Sequence, residues 1–138
     1  MSKLAWIAAL ATLFAVPAAA ETAIPDLKGT WTGESESIVL GAGNQHHRGK
    51  ASAEPRLSSV AFTMVIDKQD GRRFSGTFSS ARGTEKIIAV VSRTGAFYLV
   101  DEDGFTIGSI LAPNRLELCY MQQQAARVAS CTEMTKKP

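Results

Sequence analysis

Gly29-Thr30-Trp31-Thr32-Gly33 stands where strand-like sequence begins, and it holds the only tryptophan outside the apolar N-terminal segment. Downstream of it the chain is written in periods of two. Thr30 to Leu40 reads as a first strand. Val60, Phe62, Met64 and Ile66 then alternate with Ala61, Thr63 and Val65, as in a strand with one buried face. Phe74, Gly76 and Phe78 follow an Asp70-Gly71 hairpin signal. Ile87 to Val91 is a short apolar run ended by Thr94-Gly95. Phe97 to Val100, a turn at Asp103-Gly104, Phe105 to Leu111, and Pro113-Asn114 come next. Leu116, Leu118 and Tyr120 alternate with polar neighbours, and Val128 to Met134 closes the series. This makes about eight strands joined mostly by tight turns, with no sustained helical period.

Upstream, the pattern is of another kind. Lys3 precedes an apolar run from Leu4 to Val16, and Pro17-Ala18-Ala19-Ala20 ends it with small residues. This is the form of a secretory signal peptide cut between Ala20 and Glu21. A run of about 13 residues is shorter than the roughly 20 that span a bilayer, and no other apolar run is long enough to cross one. The expected organisation is therefore a signal peptide over 1–20, an extended arm over 21–28 and one β-domain over 29–138. The expected location is periplasmic or secreted.

Charge and cysteine content fit that reading. Removing Lys3 lowers the basic count from 15 to 14 against 13 acidic residues, for a net charge near +1. Such a chain has little field with which to attract nucleic acid. Cys119 and Cys131 are an even pair, expected to be joined in an oxidising compartment. A hairpin that places them opposite each other also pairs Tyr120 with Ser130 and Met121 with Ala129, and centres its turn on Ala125. Residues directly opposite are about 4.5–5.5 Å apart at Cα, within reach of a disulfide.

Eight sequential strands with short turns predict a single up-and-down antiparallel β-barrel, since closure removes the exposed edges. Gly29-Thr30-Trp31 at the start of the first strand resembles the opening of the calycins (lipocalins, fatty-acid-binding proteins and avidins), and of an avidin in particular. Phe74-Ser75-Gly76-Thr77-Phe78-Ser79-Ser80 is similar to the Gly-Thr-aromatic strand of that family. The resemblance implies that Trp31 has a structural role at the closed end of the barrel. It also implies a cation from the last strand beside that ring, here Lys136 or Lys137, with Arg127 at the opposite rim. Biotin binding is not implied, because avidins line their pocket with several tryptophans and only Trp31 is present.

The same topology sorts the connections by end. One rim gathers residues 41–56, the turn near Arg82, Asp101-Glu102-Asp103-Gly104 and Gln122-Gln123-Gln124. The other holds Trp31, Asp70-Gly71, Thr94-Gly95 and Pro113-Asn114. Barrels of this size bind ligands at their mouths, and only the first rim has a long loop. The rim residues expected to contact a ligand are His46, His47, Arg48, Arg82 and Asp101, with Phe62, Phe78 and Tyr120 below them. The cavity reading also includes Met64, Phe74, Val90, Leu99 and Leu118. His46 and His47 suit a metal or an anionic ligand, but neighbours on an extended segment point apart. The simplest expectation for 41–56 is a solvated, flexible lid with no metal and no cofactor.

Other chemistry finds little footing. Asp101-Glu102-Asp103-Gly104 opens like a calcium loop, but Ala112 stands where the bidentate carboxylate is needed. Lys68, Arg72 and Arg73 make a small basic cluster best read as a wet turn. Glu34 and Glu36 share a face that should be the solvated one. Neither histidine lies near a nucleophile-elbow serine, so catalysis is not expected. The function read from sequence is binding of a small apolar or amphipathic ligand, or of an exported protein partner. The alternatives are a hydrolase inhibitor acting through a loop or the arm at Glu21 to Leu27, and a packed barrel with no ligand.

Overall fold

The computed structural model describes residues 23–138, so the proposed leader and its cleavage point lie outside the described residues. All regular structure there is strand. The strands are β1 Gly29–Leu40, β2 Arg56–Ser58, β3 Ala61–Asp70, β4 Arg73–Ser80, β5 Gly83–Val91, β6 Ala96–Val100, β7 Phe105–Ala112, β8 Arg115–Gln123 and β9 Arg127–Lys136. From β3 to β9 each strand pairs antiparallel with the next, β1 pairs with β3, and β1 also pairs with β9. That last ladder runs from Trp31↔Lys136 to Leu40↔Arg127 and closes the sheet into an eight-stranded up-and-down barrel. Every strand read from the period of two is present.

The short β2 was not legible, because three residues are too few to show a period. It pairs Leu57 with Ile38, while β3 takes over the same edge of β1 from Glu34 downward. The two are pieces of one strand, interrupted at Ser59-Val60. Ser35 bridges the break: its hydroxyl accepts from the Val60 N–H at 3.1 Å, and its carbonyl accepts from the Ser59 hydroxyl at 2.9 Å.

The barrel interior has two halves of different character. At the Trp31 end it is filled: Leu27, Trp31, Met64, Ile66, Ile87, Phe97, Leu116 and Met134 are all essentially without exposure. Gly108 leaves the space that Phe97 occupies, since a Cβ there would lie 2.1 Å from the Phe97 ring. Residues 23–28 cross this end and seal it. Trp31 Nε1 donates to the Leu27 carbonyl at 2.9 Å, and the Leu27 N–H donates to Gln69 Oε1 at 2.7 Å. Lys136 supplies the cation, with Nζ 5.5 Å from the Trp31 ring centroid and donating to the Asp26 carbonyl at 3.0 Å. Toward the other end the inward positions turn polar: Ser35, Ser37, Glu85, Thr106, Ser130 and Thr132 are buried.

Outward positions behave as strand alternation requires. Glu34 and Glu36 are exposed. Val90, expected in the cavity, instead faces outward and is 44% exposed, because Ala89 and Val91 take the inward phase of β5. With Ile88, Tyr98, Val100, Phe105 and Ile107 it forms an apolar outer surface on β5 to β7. The disulfide also lies on the outside. Cys119 and Cys131 are opposite partners of β8 and β9, 4.1 Å apart at Cα, in the register expected from their spacing. The basic residues near the Asp70 turn do not converge: Arg73 pairs with Asp70, and Arg72 donates to the Val91 carbonyl at 3.1 Å.

Candidate functional site

The polar half of the interior opens toward the rim that carries residues 41–55, and this loop folds back into the mouth. Its two histidines are therefore not solvated, contrary to the sequence expectation: His46 is 3% exposed and His47 2%. Nor do they point apart, because the segment is bent rather than extended. Asn44 makes the bend, its Oδ1 accepting from the N–H of His46 at 3.0 Å and of His47 at 2.9 Å. Both imidazoles then meet the Phe62 ring edge-on, with centroids 5.2 and 5.9 Å away, and Phe62 packs on Phe78 at 4.5 Å.

Two arginines hold the loop by its backbone. Arg82 donates to the carbonyls of His46 at 3.2 Å and Arg48 at 3.0 Å, and Arg56 donates to the carbonyl of His47. Arg82 thus clamps the lid instead of facing a ligand. Arg48 contributes its carbonyl, and its side chain is exposed.

Beneath the loop lies a small cavity. Its volume is about 30 Å³. Phe62, Phe78, Leu99 and Leu118 line it together with Glu85, Asp101, Thr106, Tyr120, Ser130 and Thr132, apolar and polar side chains interleaved around the barrel, under Asn44, His46 and His47. Of the residues singled out from sequence, His46, His47, Asp101, Phe62, Phe78 and Tyr120 meet here, whereas Arg48 and Arg82 do not line the space. Met64 and Phe74 belong to the packed core instead.

Glu85 is the residue that sequence reasoning passed over. It is 4% exposed and lines the cavity from β5, opposite Phe78 in the β4–β5 register. Its Oε1 accepts from Gln45 of the loop, and its Oε2 stands 3.4 Å from His46 Nε2. Burial pushes its carboxyl above the usual range, opposed by the Gln45 hydrogen bond and reinforced by Asp101. A signal was present, since Glu85 is in phase with Ile87, Ala89 and Val91. The adjacent pair Ile87-Ile88 concealed which phase points inward.

The histidines differ in their surroundings. His46 Nδ1 is 2.8 Å from Ser80 Oγ, while its buried Nε2 makes no hydrogen bond. His47 Nδ1 is 3.3 Å from Ser58 Oγ. Burial first, then the nearby His46, Arg56 and Arg82, lower its pKa to about 4, so it is neutral at neutral pH. Tyr120 accepts from Asn44 at 3.4 Å and donates to Gln122 at 3.2 Å. Burial and Asp101 hold its hydroxyl protonated, well above the ordinary phenol range.

Ser80, His46 and Glu85 fall in the order of a hydrolytic triad, an arrangement that no sequence pattern announced. The roles do not fit. Ser80 Oγ accepts from the Arg82 N–H at 3.1 Å and lies behind the imidazole, not on the cavity wall. A nucleophile must face the space where substrate sits. Among the described residues, no three His, Cys, Asp or Glu side chains gather into a metal-binding group. Asp101 instead stabilises its turn, Oδ1 accepting from the N–H of Asp103 at 3.0 Å and of Gly104 at 2.8 Å.

No protein-family model and no curated protein matches the chain. A solved structure of an S-type phycobiliprotein lyase from Guillardia theta aligns with it at a TM-score of 0.36 and 11% identity, over 81% of this chain and 89% of that one. No residue role is carried over from that likeness.

Proposed function

We propose that this chain is an exported, calycin-like barrel that binds a small amphipathic molecule in its mouth without turning it over. The observation that carries the reading is the partly unfilled cavity at the loop-covered rim, lined by both apolar and polar side chains, where the buried His46 Nε2 is left without a hydrogen bond. Buried polar atoms are ordinarily paired. An unpaired one on a cavity wall, opposite aromatic rings, has the composition of a binding pocket. His46, His47, Asp101, Phe62, Phe78 and Tyr120 are the proposed contacts, with Glu85 added. Residues 1–20 are proposed as the cleaved leader, 21–28 as the arm and 29–138 as the barrel. The inhibitor alternative through the arm finds less support, because Leu27 is buried against the closed end and Gln69 holds both Leu27 and the Pro25 carbonyl.

Native mass spectrometry on protein purified from its producing cells tests both parts. The expected mass begins at Glu21 and carries a small-molecule adduct. Thr132→Leu, which narrows the cavity, should lose that adduct. A bare chain that also binds nothing from a library of small amphipaths would overturn the binding reading. A protein retaining residues 1–20 would overturn the export reading.

A further inference from the structure

The charged side chains that line the mouth cavity are acidic. Glu85 brings a carboxylate, and Asp101 a second one; no lysine or arginine lines the space. The nearby arginines are turned to the loop backbone. Tyr120 commits its proton to Gln122 and so offers lone pairs. His46 completes the set. When its Nδ1–H donates to Ser80 Oγ and Glu85 is ionised, its Nε2 lone pair faces Glu85 Oε2 across 3.4 Å, two acceptors with no proton between them.

Resting on the mouth-binding reading, we infer that the ligand is a small primary or secondary amine, bound as its ammonium ion on the cavity side of His46 Nε2 and Glu85 Oε2, which part slightly to share it, with its short apolar body against Phe62 and Phe78. An ammonium supplies up to three donors and one positive charge, and the lining brings no lysine or arginine of its own to meet Glu85 and Asp101. A carboxylate or phosphate ligand would bring a second anion beside Glu85 and Asp101, and no buried cation lines the cavity to offset it. An alcohol supplies one donor and leaves the second acceptor unpaired. The space is short, so the amine carries only a few carbon atoms unless the loop lifts.

Three probes of one shape separate these possibilities: propylamine, 1-propanol and propionate, each titrated into uniformly 15N-labelled full-length mature protein and followed by amide chemical shifts. The expected result is that propylamine moves the amides of Asn44, His46, Glu85 and Thr106, binding at least about tenfold more tightly than propanol, with propionate silent. Glu85→Gln keeps the shape and removes the charge, and should reduce propylamine affinity by about tenfold or more. Glu117→Gln, which removes a carboxylate from the outer surface of β8, should leave the preference for amine over alcohol in place. If propanol or propionate binds at the mouth as well as propylamine, the ammonium assignment is wrong and the mouth remains a binding site. If none of the three moves the mouth amides, the binding reading falls with it.

Discussion

Trp31 and His47 show how single residues set the character of the two ends. Trp31 is fully buried, donates to the Leu27 carbonyl and lies beneath the Lys136 ammonium. Trp31→Ala leaves a void that the surrounding side chains cannot collapse into. Urea unfolding should show a loss of about 3–5 kcal/mol. His47 is buried in its neutral form, and its effect depends on pH. Its pKa of about 4 lies below the 6.5 of the unfolded chain. Between those values the unfolded state binds the extra proton, so stability rises with pH across the window and is lost as pH falls from 6.5 toward 4. The loss is on the order of 2 kcal/mol once solvent at the rim is counted. Glu85, with its raised pKa, acts in the opposite sense above the unfolded carboxylate value. The informative measurement is therefore the difference in stability between wild type and His47→Asn, which should shrink as pH falls through that window. A difference independent of pH would show that His47 does not titrate in this way.

At the scale of elements, most of the barrel is legible because each hairpin carries its own instruction. Alternation marks the faces of β3, β4, β8 and β9, and Asp70-Gly71 marks a turn in which Gly71 adopts a φ of 56°. The spacing of Cys119 and Cys131 defines the register of the last hairpin. Replacing both cysteines by alanine should cost about 2–3 kcal/mol, read by urea unfolding against the oxidised parent, with the barrel otherwise intact. What the sequence conceals is phase where both neighbours are apolar, as at Ile87-Ile88, and the seating of a loop held partly by residues distant in the chain. The 41–55 loop belongs to the second kind. Its anchors come from Asn44 beneath, Arg56 beyond and Arg82 across the mouth. Arg82→Ala should raise amide hydrogen exchange in residues 41–55 by about tenfold or more, with little change in Tm, because the clamp lies outside the packed core. Unchanged exchange would show that Arg82 does not hold the lid.

At the scale of the whole molecule the barrel is asymmetric along its axis. One end is filled with apolar side chains and sealed by residues 23–28, and the other is polar and only partly filled. Topology alone told the two ends apart, since it gathered the long loop at one rim and Trp31 at the other. It did not show that the interior changes character halfway. That follows from Ser130 and Thr132 being in phase with Val128 and Met134 on β9, which places hydroxyls where a fully packed barrel would carry methyl groups. The loop that seats His46 and His47 in this mouth also makes the protein its own first occupant. Any molecule too long for the space already open beneath them must wait for those side chains to move. The observed association rate should therefore stop climbing with concentration and level off at the rate of loop lifting. In stopped-flow mixing, loosening the Arg82 clamp should raise that plateau. Residence time is governed by the same event, so a modest affinity can coexist with slow release.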